Sequence, residues 1–131
     1  MIAAPVVAAG LCAALLIEGP PRSLQPDERI PDVILVRQAP KLGGRLLVTV
    51  SNRANILEIM QALPSTYDQP LCACFGYYDL QFVVSTGMYR TVNYMPGDYV
   101  RDSEHITGQS SVPRRFRRIM GGLIRQHAVY D

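Results

Sequence analysis

The densest group of chemically active side chains in this sequence is a set of arginines near its carboxyl end. Arg114, Arg115, Arg117 and Arg118 occupy four of five consecutive positions, and Arg125 follows seven residues after the last of them. A guanidinium group is a planar fork that binds a carboxylate or a phosphate through two parallel hydrogen bonds. The pattern therefore predicts a surface that contacts an anion, either the phosphates of a nucleic acid or an anionic membrane.

Two other interpretations of these arginines stay open. The preceding segment carries Asp98, Asp102 and Glu104, which would neutralise the arginines and leave only a solvated helix face. An acidic protein partner is the other interpretation. The formal net charge is only +2, so binding to any anion would be local and sensitive to salt.

Residue types used in hydrolysis lie close together in the sequence around His105. Glu104 precedes this histidine, two serines follow at 110–111, and Asp102 lies nearby. Catalytic triads are assembled in space, so closeness in sequence does not establish a site. A small hydrolase with an active site around His105 at a subunit interface is therefore the alternative to a non-catalytic role, which the sequence favours.

The cysteines, Cys12, Cys72 and Cys74, include no CxxC pair and have no histidine cluster beside them. An odd number argues against a disulfide scaffold and favours a reducing compartment. Alternation of apolar residues from Leu71 onward places Cys72 and Cys74 on the core face of a strand, where free cysteine acts as a small apolar residue. A soft-metal site is the alternative. We expect no metal and no cofactor, because phosphate-loop and dinucleotide motifs are also absent from the sequence.

Hydrophobic periodicity predicts the strands that position these side chains. A short apolar run at 32–37 and alternation at 45–50 predict two strands that can pair as a hairpin. Alternation over 71–95, interrupted by a turn at 85–87, predicts two further antiparallel strands. Gly76 would mark a bulge in the first of them.

Two amphipathic helices are predicted from apolar residues spaced three or four positions apart. The first begins at Asn55, which forms a capping-box pattern with Glu58, and ends before Pro64. The second follows Ser111 and Pro113 and carries the arginines opposite an apolar stripe. This stripe consists of Phe116, Ile119, Met120, Leu123, Ile124 and His127. The expected fold class is α+β, a small, mainly antiparallel sheet of about 4–5 strands with both helices packed on one side.

The length of 131 residues predicts a single domain, 1–131. Residues 1–17 carry no charge, lack the positive start of a secretory signal, and are short and diluted for a membrane span. We therefore expect an apolar amino-terminal arm that packs on this domain or on a second copy. Residues 18–31 form a proline-rich connector. The arm and seven tyrosines favour a homo-oligomer.

Residues 45–68 resemble the start of the core of rhabdovirus-type matrix proteins. The likeness consists of a strand from Arg45 into Ser51-Asn52-Arg53, followed by an amphipathic helix that ends near Tyr67-Asp68, and it covers about a fifth of the chain. The chain departs from that family in lacking its basic, proline-tyrosine-bearing tail. It also departs after Pro70, where a strand is predicted in place of a helix. The resemblance implies an assembly protein of a viral particle.

These patterns together predict a non-enzymatic assembly or binding subunit. It would self-associate and contact nucleic acid or an anionic membrane through its arginine-rich carboxy-terminal helix. The sequence indicates no small-molecule substrate. The expected location is intracellular and cytoplasmic, with membrane association or incorporation in a viral particle as further expectations.

Overall fold

A computed structural model describes residues 19–128 of the chain, which form one sheet and two α-helices. The strands are β1 (Val33–Gln38), β2 (Leu46–Val50), β3 (Tyr78–Val84), β4 (Gly87–Met95) and β5 (Tyr99–Asp102). The helices are α1 (Arg53–Ala62) and α2 (Arg114–Ala128). These elements confirm the expected α+β class. The predicted amino-terminal arm lies outside the described residues.

The five strands lie in the order β2-β1-β3-β4-β5, and every neighbouring pair is antiparallel. The predicted hairpin of the first two strands is confirmed, with Ile34 opposite Val50. A register shift in the β3–β4 pair places Arg90 opposite Phe82 and Met88 opposite Val83, which leaves Tyr89 as an extra residue. The bulge accommodates this extra residue, and Arg90 lies on the core face of β4.

Both helices contribute to the hydrophobic core on one face of the sheet. The sheet supplies Ile34, Val36, Val48, Val50, Leu80, Phe82, Val92, Tyr94 and Val100. The helices and the residue after α1 supply Ile56, Ile59, Met60, Ala62, Leu63, Phe116 and Met120. The ring of Phe116 meets the ring of Tyr94 edge-on, with centroids 5.1 Å apart. The apolar side of α2 is therefore occupied by contacts within the domain.

The prediction that the first helix begins at Asn55 is wrong. Asn52 is the N-cap: its backbone is extended and its side-chain oxygen accepts a hydrogen bond from the Asn55 amide at 3.2 Å. Asn55 therefore lies inside the first turn of α1. Asn52 caps the helix because its side-chain oxygen accepts a hydrogen bond from an amide that has no partner within the helix.

Asn52→Ala is expected to lower the free energy of unfolding by about 1 kcal/mol, because the Asn55 amide loses its acceptor. Urea denaturation with an unchanged slope would measure the effect. Asn55→Ala is the matched control, and it should be neutral or slightly stabilising because Ala is the better helix former. Equal losses in both variants would contradict the assignment of the cap.

The predicted strand over 71–77 is also wrong, since β3 begins only at Tyr78 and the preceding residues form a loop. The residues predicted to face the core, Cys72 and Cys74, are only half-buried, and none of residues 71–77 belongs to a pair of strands. Gly76 is not a bulge residue. It lies in this loop against Asn93, whose side chain a Cβ at position 76 would meet.

Candidate functional site

The carboxy-terminal arginines lie on α2, which the core holds firmly in place. Phe116 and Met120 are fully buried, and the helix packs against β2 and α1. Its other side is exposed at Arg114, Arg117, Arg118 and Arg125. The structure thus confirms an amphipathic helix with an arginine side.

The individual arginines differ in their surroundings. Arg115 is half-buried and donates to the carbonyl oxygen of Gly19 at 2.9 Å. Arg125 donates to the Gly121 carbonyl of its own helix at 3.1 Å. Arg114 and Arg117 form no ion pair with any residue in the range 19–128. Because the first turn of α2 contains no acidic residue, these two charges add to the positive end of the helix dipole.

The neutralising role predicted for Asp102 is wrong, because this carboxylate is buried elsewhere. Arg90 donates to Asp102 through Nε at 3.0 Å and through Nη2 at 2.5 Å. Arg90 also donates to Glu28 through Nη1 at 2.9 Å. Asp98 is exposed in the turn between β4 and β5. The charges of Arg114 and Arg117 therefore remain unneutralised by Asp98, Asp102 and Glu104.

Arg90 and Glu28 line a groove of about 800 Å³ between the connector and the β4–β5 end of the sheet, and Asp102 pairs with Arg90 beside it. Arg22 completes the cluster with a hydrogen bond from Nη2 to Glu28 at 2.6 Å. Partial burial on its own raises the pKa of Glu28, but hydrogen bonds from Arg22 and Arg90 outweigh it and lower the pKa to about 2. The cluster therefore fixes the connector to the sheet with a carboxylate that is ionised at neutral pH.

Tyr67 extends this cluster toward the wall of the groove. Its hydroxyl donates to Asp102 at 3.2 Å, and its ring stacks on His105 with centroids 4.4 Å apart. Burial and the neighbouring Asp102 charge raise the pKa of Tyr67 well above its usual value. The hydroxyl therefore stays protonated and acts as a donor to the carboxylate.

Asp102, Glu104 and His105, the residues of the hydrolase alternative, do lie together beside this groove. The Asp102 carboxylate is already engaged by Arg90, by Tyr67 and by the Glu104 amide, and His105 donates its backbone amide only to the Asp102 carbonyl oxygen. The hydroxyl of Ser110 donates to its neighbour's carbonyl oxygen. Within residues 19–128 these side chains do not form the chain of hydrogen bonds from nucleophile to base to orienting acid that a catalytic triad requires.

Sequence reasoning missed the pairing of Arg90 with Glu28. Arg90 has the same parity as Val92 and Tyr94, so the alternation of β4 already places its charge on the core face. A charge in that position requires a buried partner. The partner itself lies sixty-two residues away in the connector, where no periodic pattern marks it.

Comparisons of the chain with protein-family models, with curated proteins and with solved structures find no match. The resemblance to matrix proteins therefore stays a prediction. Over residues 19–128, no helix has the length and apolar content needed to cross a membrane.

Proposed function

We propose that this protein is a binding subunit that contacts the phosphates of a nucleic acid through the exposed side of α2, a contact that involves no catalysis. The proposal rests on the exposure of Arg114 and Arg117 and on their surroundings. Both are exposed at the positive end of the helix, and neither is paired with a described carboxylate. Guanidinium groups in this setting bind phosphate oxygens and release condensed counterions.

The burial of the apolar side of α2 favours nucleic acid over a membrane. An amphipathic helix that binds a bilayer inserts its apolar side below the headgroups. In this protein Phe116 and Met120 are fully buried, so the same side is unavailable unless the domain opens. A contact to phosphates requires only the arginine side, which is already exposed.

Self-association belongs to the same proposal. The strand β2 lies at one end of the sheet, and its Leu46 is exposed. Pairing of two such edges would place two sets of α2 arginines on one assembly and increase the number of phosphates contacted. Incorporation into a viral particle would be one setting for such an assembly.

The test is fluorescence anisotropy of the full chain with a labelled duplex of about 20 base pairs and with a single-stranded RNA, over a series of salt concentrations. The logarithm of the binding constant should fall linearly with the logarithm of the salt concentration. Arg114→Glu/Arg117→Glu should weaken binding at least about tenfold. It should also flatten the salt slope by about 2, since each phosphate contact contributes about 0.9.

A charge-matched control distinguishes this contact from an effect of net charge. Lys41→Glu/Arg53→Glu changes two exposed cations that lie outside α2 by the same total charge. It should leave the salt slope close to that of the wild-type protein. Equal losses in the two double variants would overturn the α2 interface, as would binding to phosphatidylserine vesicles without binding to nucleic acid.

A further inference from the structure

A second chemically active group lies on the side of the sheet opposite the helices and is independent of α2. Cys72 and Cys74, which sequence reasoning placed in the core, are half-buried in the loop before β3 and joined by a disulfide. They are only two positions apart, so this bond connects no distant elements. Because this bond cross-links no distant parts of the fold, its significance lies in the chemistry of its two sulfur atoms.

The guanidinium of Arg101 on β5 contacts both sulfurs. Its Nη2 atom lies 2.9 Å from Cys72 Sγ, 3.1 Å from Cys74 Sγ and 2.9 Å from the Cys72 carbonyl oxygen. The guanidinium is held there from two other directions. Its Nε donates to the side-chain oxygen of buried Gln109 at 3.1 Å, and its Cζ atom lies 4.4 Å from the ring centre of Tyr99.

The loop that carries the two cysteines and the guanidinium of Arg101 are also fixed relative to each other. The same Gln109 oxygen accepts a hydrogen bond from the Cys72 amide at 3.3 Å, and Gln69 pairs with Gln109 through backbone hydrogen bonds. At the other end of the loop, the Gly76 amide donates to Asn93 at 3.1 Å. None of these contacts involves the bond between the two sulfurs, so the guanidinium and the loop are positioned independently of it.

A fixed positive charge beside two sulfurs favours thiolate chemistry over metal binding. It stabilises a thiolate, which is the nucleophile in exchange with disulfides. The same charge repels a metal cation. In the part of the chain that the structure describes, no cluster of three or more His, Cys, Asp and Glu side chains is suited to hold a metal.

We propose that Cys72 and Cys74 are a redox-active pair that exchanges with the disulfide bond of an external substrate. Cys72 is the attacking residue, because it lines a cavity of about 340 Å³ and Cys74 does not. This cavity combines apolar walls from Leu71 and Ile106 with polar groups from Asn93. A cavity of this kind accepts one half of a small or peptide disulfide.

The exchange is balanced in atoms and electrons. The Cys72 thiolate bonds to one substrate sulfur, the substrate disulfide breaks, and the departing sulfur takes the electron pair and a proton. The Cys74 thiolate then attacks the Cys72 sulfur, which releases the second substrate thiol and forms the Cys72–Cys74 disulfide. Two electrons pass from the protein to the substrate, and an external dithiol restores the reduced pair.

The first experiment uses the full chain with Cys12→Ser, so that thiol labelling reports only the pair. We expect oxidised glutathione to remove both labelled thiols without adding glutathione mass, and dithiothreitol to restore both. With dithiothreitol as the reductant, repeated oxidation and reduction of the pair should convert glutathione disulfide to its thiol and, in a separate assay, the disulfides of insulin to thiols. Cys72→Ser should abolish both conversions. Thiols that stay labelled in oxidised glutathione, or that retain glutathione, would overturn the proposal.

The second experiment tests Arg101 through the rate of Cys72 alkylation by iodoacetamide in a Cys12→Ser/Cys74→Ser chain. Arg101→Gln should move the midpoint of the pH profile upward. It should also slow alkylation roughly threefold at about pH 6.5, because the tenfold loss of thiolate is partly offset by greater nucleophilicity.

Arg101→Lys retains the charge and should preserve most of the rate. Arg37→Gln is the control, since this arginine of β1 donates to Gln81 and touches neither sulfur. Circular dichroism of every variant establishes that it is folded. An unchanged pH profile in folded Arg101→Gln would remove the role assigned to the guanidinium.

Discussion

Asp102→Asn is expected to lower the free energy of unfolding by about 3 kcal/mol. The substitution keeps the shape of the side chain but leaves the guanidinium of Arg90 buried without its principal counter-charge. Removing one partner of a buried pair costs about 3–5 kcal/mol, and we expect the lower end because Glu28 still contacts Arg90. Urea denaturation followed by circular dichroism or tyrosine fluorescence would measure the loss, since the chain contains no tryptophan.

Asp98→Asn is the matched control, because it removes an exposed carboxylate from the neighbouring turn. Its effect should stay within about 0.5 kcal/mol. Arg90→Met in the Asp102→Asn background should cost less than the sum of the single substitutions, because the two side chains share one interaction. A loss below about 1 kcal/mol for Asp102→Asn would show that the cluster contributes little to stability.

The Asp102 cluster explains how a segment without regular structure can be part of the domain. The connector contributes Arg22 and Glu28, and both are anchored by charge-assisted hydrogen bonds. Arg22 also donates to the Met60 carbonyl near the end of α1. The connector thereby joins α1 to β4 and forms one wall of the groove.

The sheet and helices were predictable because their apolar residues follow the periods of regular structure. Val33–Gln38 and Leu46–Val50 have buried alternate residues, and Phe116 and Met120 repeat at helical spacing. Burial of one face of each element is enough to specify these patterns. The order of strands and the long crossover containing α1 depend on contacts between distant residues, which no local pattern records.

The two charged sites differ in how far the sequence could predict them. The arginines of α2 were identified because they cluster within one turn and a half of a helix. The contacts of Cys72 and Cys74 with Arg101 could not be predicted, since they join a loop to a strand twenty-seven or more residues away. The strand predicted over 71–77 was wrong because this alternating segment has no neighbouring strand with which to pair. Periodicity alone does not supply backbone hydrogen bonds.

Glu28→Gln is expected to reduce stability most at neutral pH and progressively less as the solution becomes acidic. The folded protein holds the pKa of Glu28 near 2, below its ordinary value of 4.5. The carboxylate therefore stabilises the fold fully above about pH 5, and this contribution is lost as the pH falls toward 2. At pH 7 the wild-type protein should exceed the variant by about 2–3 kcal/mol, and the difference should shrink by about 1 kcal/mol at pH 3.5.

Free energies of unfolding measured in urea across this pH range would establish the sign and size of the effect. Glu58→Gln removes an exposed carboxylate on α1 and should shift stability by less than about 0.5 kcal/mol throughout. A gap between wild-type and Glu28→Gln that widens on acidification would contradict the ionised state of Glu28. The expected convergence would show that its charge joins Arg22 and Arg90, and hence the connector to the sheet, because protonation abolishes both ion pairs together.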